Sequence, residues 1–278
     1  MNFRAIWEVW DYNKFNYGDR WASGFLFWYH NCPLPQVAGR LYDYYLEPTA
    51  ALYYSQNGLS PLHPQFDYLK NTVSVCNDYR SEFKDYTVSA AVIDINSDTV
   101  MYLSSKINIP SDGVANDVIR INFPENISQV HFIKLLLKDT EGKIISDAFY
   151  WRSKDEYKGA WTLTGPAVSG FEEISKLPEC ELKNTESLYL DEEKVLIKVD
   201  IENPTKVLSF FTRIKLEDSY GNIIAPAFYS DNFFSLLPGE NKNITIEIPE
   251  KKFTGNEIKI TVDSFNSRPE SKLISVKK

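Results

Sequence analysis

Five carboxylates near the N-terminus, Glu8, Asp11, Asp19, Asp43 and Glu47, are the first residues to weigh for acid–base chemistry. Cleaving a glycosidic acetal takes two carboxylates about 5 to 10 Å apart across the sugar. Glu8 and Asp11 fall within a helical pattern and Asp19 in its exit. Asp43 and Glu47 stand in a loop entering a second helix, where capping and turn fixing are the usual roles. All five therefore read first as structural. The pair Asn256-Glu257 opens a late strand and is read the same way. Trp28 is the stronger candidate, because an indole at the end of a strand offers a flat apolar face for a sugar ring. It serves equally well as a core residue. Tyr29, His30 and Asn31 continue into the same loop, where they can hydrogen-bond a ligand or simply hold the loop.

The three cysteines (Cys32, Cys76, Cys180) and three histidines (His30, His63, His131) are widely scattered, with no C-x-x-C or comparable spacing. That pattern argues against a disulfide framework and against zinc, and no cofactor is expected. No phosphate-cradling glycine loop, nucleophile elbow or Cys/His dyad is legible. The sequons at Asn126 and Asn243 are weak motifs. A formal charge of -8 over 278 residues offers no basic stripe for phosphates, so nucleic acid is not an expected partner. No apolar run reaches the roughly 18 residues of a membrane span, and the first residues lack signal-peptide character. The compartment is not readable. Hydrophobic content of 43% suits a globular fold, and 14% aromatics suits sheet cores and carbohydrate-facing surfaces alike.

These residues need elements to hold them. Phe3, Ile6, Trp7, Trp10 and Phe15 recur at helical spacing, predicting a helix over 2–16 with one wide apolar stripe, ended at Gly18-Asp19. An apolar strand is expected over 22–29. A second helix follows over 48–57, with Pro48 in its first turn and Gly58 as its stop. From Pro61 the pattern changes to short strands at roughly ten-residue spacing: 71–77, 86–95, 99–108, 116–123, 129–137 and 143–151. In 118–123 Ile119 and Ile121 alternate with Arg120 and Asn122, the mark of a strand with one buried face. Residues 153–178 read as a linker with a short helix at 169–176. A second series covers 180–184, 193–202, 207–217, 222–229, 242–248 and 256–264, and Lys272 to Lys278 reads as a solvated basic tail. Two antiparallel sandwiches of immunoglobulin type are expected, sharing architecture but no strong motif.

Some of these residues also resemble a known family. Gly24, Trp28, Asn31 and Pro35, then Leu41-Tyr42-Asp43-Tyr44-Tyr45-Leu46-Glu47-Pro48, resemble the last barrel strand and helix entrance of glycoside hydrolase family two. The nearest branch is the exo-β-D-glucosaminidases and endo-β-mannosidases. Ala50 to Tyr54 and Pro61-Leu62-His63-Pro64-Gln65 are similar to that family's helix and its exit, and Phe228 to Glu240 to its C-terminal immunoglobulin-like domain. The resemblance implies a mainly β chain: 1–60 the closing helix-strand-helix of a (β/α)8 barrel, 61–152 a sandwich, 153–178 a linker and 179–278 a second sandwich. It implies a retaining exo-β-glycosidase acting on terminal β-linked glucosaminyl or mannosyl residues, in a periplasmic or secreted parent. The two catalytic Glu of the family match no position here, so no catalytic residue is assigned and the chain alone is expected to be inactive. Trp28 and Asn31 match substrate-facing loop positions. Cys32, Leu34, Ala38 and Gly39 depart from the family's Asn, Trp, His and Trp, which weakens carbohydrate contact there. A non-catalytic tandem sandwich that binds glycans or scaffolds a partner is the alternative. Apolar surface on residues 1–58 is expected to be disordered, packed on the first sandwich, or buried in an oligomer.

Overall fold

Alternating residues bury their apolar members wherever the sequence shows clean alternation. In a computed structural model, Ile119 and Ile121 are buried while Arg120 and Asn122 are exposed, and Val195, Ile197, Val199 and Ile201 are buried between less buried neighbours. The structure describes residues 2–17, 24, 26, 30–35, 40–155, 161–162, 165–166, 170–190, 193–249 and 256–276. The chain is mainly β and divides into two compact units: Met1–Phe27 with Tyr54–Lys176, and Trp28–Tyr53 with Leu177–Lys278.

The first unit is a seven-stranded sandwich. Strands β1 (Leu62–Asp67), β2 (Thr72–Asn77) and β5 (Gly113–Arg120) form one sheet. β3 (Phe83–Ile93), β4 (Thr99–Ile109), β6 (Val130–Lys138) and β7 (Ile144–Ser153) form the other, in the order β4-β3-β6-β7. Val73, Val75, Val92, Leu135 and Leu137 lie in the core between the sheets. β1 was not expected, because its Pro64 reads as a strand breaker. Pro64 sits on a strand that pairs on one side only, where a missing N–H is tolerated.

The expected linker contains a two-residue hairpin, β8 (Trp161–Thr162) with β9 (Gly165–Pro166), and a 3-10 turn over Glu172–Lys176. Gly170 has φ +83°, and a Cβ there would stand 2.2 Å from Ser153 Oγ, so only glycine fits.

The second unit repeats the plan. β10 (Lys183–Leu190), β11 (Lys194–Glu202), β13 (Phe228–Tyr229) and β15 (Asn241–Pro249) form one sheet in the order β10-β11-β15-β13. β12 (Ser209–Glu217), β14 (Phe234–Leu236), β16 (Glu257–Asp263) and β17 (Glu270–Ser275) form the other, in the order β14-β12-β16-β17. β11 and β15 set Val195 opposite Ile248, Ile197 opposite Ile246 and Val199 opposite Ile244, stacking branched side chains across the ladder. The expected solvated tail is corrected: Glu270–Ser275 pairs along β16 from Val262↔Glu270 to Glu257↔Ser275.

The two sandwiches also share a motif that spacing alone did not reveal. Asn77, at the end of β2, donates through Nδ2 to Ser81 O (2.9 Å) and Pro110 O (2.7 Å) and accepts from Tyr79 N. Asn203, just past β11, donates to Val207 O (2.8 Å) and Leu236 O (3.0 Å) and accepts from Thr205 N. In both units one carbonyl belongs to the following loop and the other to the end of a later strand, just past β4 for Asn77 and the last residue of β14 for Asn203. One fully buried amide ties each sheet corner.

Helix α1 (Asn2–Tyr17) forms where the periodicity places it, but its buried face is not the expected one. Arg4, Glu8 and Asp11 are buried, whereas Ile6 is 47% and Val9 55% exposed. The reason lies in its neighbour. The outer face of β1 and β2 carries His63, Gln65, Thr72, Ser74 and Cys76, all buried. A polar surface of that kind accepts a polar helix face provided partners are supplied. Helix α2 (Ala50–Gly58) starts after Thr49, whose Oγ1 accepts from Ala51 N at 3.2 Å, so Pro48 lies before the first turn and not within it. Gly58 closes α2 at a close approach: a Cβ there would meet Trp7 Cβ at 3.1 Å and Arg4 O at 3.3 Å. Of the expected strand over 22–29 only Gly24 and Leu26 are described, and both are exposed.

Candidate functional site

The loop that carries the candidate site residues belongs to the second unit. Tyr42 N donates to His30 O at 3.1 Å, and the two rings lie 4.9 Å apart. Asp43 then folds a tight turn. Its backbone N bonds Glu47 O, its carboxylate accepts from Glu47 N at 2.8 Å, and its carbonyl accepts from Leu46 N. At the tip, Tyr44, Tyr45 and the positive-φ Leu46 are exposed, the two rings edge-on at 5.1 Å. Asn31 is exposed beside His30, available to a ligand, while Cys32 next to it is buried. Trp28 lies outside the described residues. At the other end of the segment, the Tyr53 ring lies 6.5 Å from that of Tyr229 and 6.0 Å from that of Phe233. Burial raises its phenol above the ordinary range, against a hydrogen bond with Asn232.

The weighed carboxylates are placed as follows. Asp19 lies outside the described residues. Asp43 is spent on its turn. Glu47 is half-buried, and burial raises its carboxyl above the ordinary value against the pull of Arg213 and Lys215. Glu8 and Asp11 are deep in the first unit. Glu8 Oε1 accepts from Arg4 Nε at 2.6 Å and from Tyr150 Oη at 2.6 Å, and Tyr150 Oη in turn accepts from Phe66 N at 3.1 Å. Glu257 is the first residue of β16, paired opposite Ser275, as its structural reading requires.

Asp11 sits in a second buried constellation. His63 and Cys76 are direct cross-strand partners on β1 and β2. Their side chains and the Asp11 carboxylate bring one donor atom each to within 4.8 Å of one another. Asp11 Oδ2 is 3.8 Å from His63 Nε2, and Lys14 Nζ lies 2.5 Å from Asp11 Oδ1 and 2.6 Å from Asp78 Oδ1. Burial raises the Asp11 carboxyl, opposed by Lys14 and His63. Burial also pushes the Cys76 thiol well up, with Asp11 adding in the same direction. Sequence spacing hid this trio. Had 62–67 been recognised as a strand, a hairpin with 72–77 would have set residues 63 and 76 side by side.

A family model described as the exo-beta-D-glucosaminidase Ig-fold domain matches residues 161–267. The chain is 23% identical over 249 residues to an exo-beta-D-glucosaminidase of Arthroderma benhamiae, covering 88% of this chain and 28% of that protein. It is 22% identical over 303 residues to a mannosylglycoprotein endo-beta-mannosidase of Lilium longiflorum, covering 90% of this chain and 31% of that protein. The crystal structure of the exo-chitosanase of Amycolatopsis orientalis superposes with a TM-score of 0.86 at 20% identity, over 99% of this chain and 33% of that one. The chain is similar to the C-terminal part of these exo-beta-D-glucosaminidases and of the endo-beta-mannosidase, as the resemblance to glycoside hydrolase family two implies. It spans less than a third of the length of the relatives it matches.

The run Phe228 to Glu240, within the matched residues, has a structural explanation. Asn232 mimics a strand residue, accepting from Ile214 N at 2.8 Å and donating to Ile214 O at 2.9 Å. Phe233 follows at φ 57° and turns the chain into β14. Lys242 Nζ holds Asp231 at 2.5 Å, and Glu240 Oε2 accepts from Leu237 N at 2.9 Å. The run is conspicuous because nearly every polar member fixes backbone.

Proposed function

We propose that this chain is the non-catalytic C-terminal part of a retaining exo-β-glycosidase acting on terminal β-linked glucosaminyl or mannosyl residues. The observation that carries the reading is the match of 161–267 to the exo-beta-D-glucosaminidase Ig-fold domain. Residues 1–60 are read as the closing part of the catalytic barrel, 61–152 and 179–278 as its two trailing sandwiches, and 153–178 as their linker. Double displacement needs a nucleophilic and an acid/base carboxylate about 5 Å apart. Glu8, Asp11 and Asp43 are each engaged in bonds that hold structure, which supports placing that pair outside these residues. Exposed Ile6 and Val9 on α1 support further packing partners for this segment. Trp28 supplies the stacking face and Asn31 a hydrogen bond to the sugar at the barrel mouth.

The purified chain, incubated with aryl β-glucosaminides and β-mannosides, is expected to show no turnover above buffer. Robust hydrolysis would overturn the placement of the carboxylates. On a glycan array, retained binding that Trp28→Ala abolishes would favour the tandem-sandwich glycan binder instead.

A further inference from the structure

The sheet pairing brings together a donor set that the family-two reading does not use. His63 and Cys76 stand opposite each other on the same face of β1–β2, and α1 lowers Asp11 onto them. All three are buried, His63 at 2% and Cys76 at 0% exposure. The imidazole is oriented: Nδ1–H donates to Ser60 O at 2.5 Å, leaving the Nε2 lone pair directed at the cluster. That Nε2 is buried and has no hydrogen-bond partner. The carboxylate oxygen Asp11 Oδ2, at 3.8 Å, is beyond hydrogen-bond range. A distal ring nitrogen fixed by a backbone carbonyl is the arrangement that prepares a histidine to ligate a metal.

We propose that Asp11, His63 and Cys76 form a buried site for a borderline-soft divalent cation, Zn²⁺ in the first place, which ties α1 to the β1–β2 hairpin. Sulfur and imidazole select zinc over magnesium or calcium, which prefer all-oxygen shells. Bond lengths of about 2.0–2.3 Å put tetrahedral donors roughly 3.5 Å apart. The present spread of up to 4.8 Å therefore closes by small side-chain rotations. On binding, the Cys76 thiol proton leaves to solvent and the sulfur coordinates as thiolate, while a water fills the fourth position. The charges then balance: Zn²⁺ against the Asp11 carboxylate and the Cys76 thiolate, and Lys14 against Asp78. Lys14 also holds Asp11 Oδ1, which leaves Oδ2 facing the imidazole. With Cys76 closed to solvent, the same trio is unsuited to nucleophilic catalysis on an external substrate.

The test uses the whole chain, stripped with a chelator and dialysed against Zn²⁺ or Co²⁺. The expected results are one equivalent of zinc per chain, a thiolate-to-cobalt charge-transfer band, and a Tm that rises with zinc concentration. Cys76→Ser removes the band and weakens zinc binding by more than about tenfold, whereas Cys32→Ser and Cys180→Ser leave both unchanged. His63→Gln repeats the loss in a variant that keeps the thiol, and far-ultraviolet circular dichroism confirms that each variant is folded. Folded wild-type chain that retains no zinc at micromolar free metal would overturn the proposal. So would a cobalt band that survives Cys76→Ser.

Discussion

His131 shows how a single buried group sets a response to pH. It lies on β6 with its ring 5.0 Å from Phe123, and burial, reinforced by the Arg152 and Lys154 charges, lowers its pKa to about 4. The unfolded chain takes up that proton near pH 6.5, and the folded chain resists it until about pH 4. A base with a depressed folded pKa contributes stability that is fully present above pH 6.5 and is lost as pH falls toward 4. The difference corresponds to roughly 3 kcal/mol. Urea unfolding at pH 7 and pH 4.5 should show that loss in the wild-type chain and a clearly smaller one in His131→Leu. Equal slopes in the two proteins would remove His131 as the cause. The Arg4–Glu8–Tyr150 network works by the opposite device: charges are buried, but each meets a partner, Tyr150 Oη serving Glu8, Arg4 and Phe66 N at once.

At the scale of elements, the two sandwiches are held at equivalent corners by Asn77 and Asn203. Replacing either by alanine removes three hydrogen bonds to backbone groups, two carbonyls and one N–H, a cost of about 3 kcal/mol. Guanidinium unfolding of Asn203→Ala and Asn77→Ala should show losses of that order in each. Asn203→Asp should be no better, since a carboxylate cannot donate to Val207 O and Leu236 O. A loss under about 1 kcal/mol in both alanine variants would mean that neighbouring ladder bonds hold the corner unaided. Much of this level was legible in the sequence. The alternation in 118–123, 195–201 and 244–248 gave strand, face and partner type, because a half-buried strand must repeat every two residues. β1 and β17 were missed for separate reasons: Pro64 hid one, and lysines at 272, 277 and 278 gave the other the look of a tail. Of the expected strand 222–229 only Phe228–Tyr229 forms, and β14 carries too few residues for any period to show.

For the whole molecule, what matters is where the chemistry sits. If the catalytic pair lies outside this chain, a mechanism-based 2-fluoro glycoside, which traps the nucleophilic carboxylate of a retaining enzyme as a glycosyl ester, should leave the mass of the purified chain unchanged. A stoichiometric mass increase would place a nucleophile within it. The sequence by itself determined the mainly β architecture, the position of α1 and the resemblance to the exo-β-D-glucosaminidases, since periodicity and local motifs survive in one dimension. Asn31 was legible as an exposed loop residue for the same reason. Only the tertiary structure decided which face of α1 is buried. Helical periodicity marks Ile6 and Val9 as apolar, but the polar outer face of β1–β2 selected Arg4, Glu8 and Asp11 instead. It also decided that His63 and Cys76, thirteen residues apart and unremarkable in spacing, are neighbours beneath Asp11. Register between strands is set by pairing across space, and no spacing along the chain encodes it until the strands themselves are known.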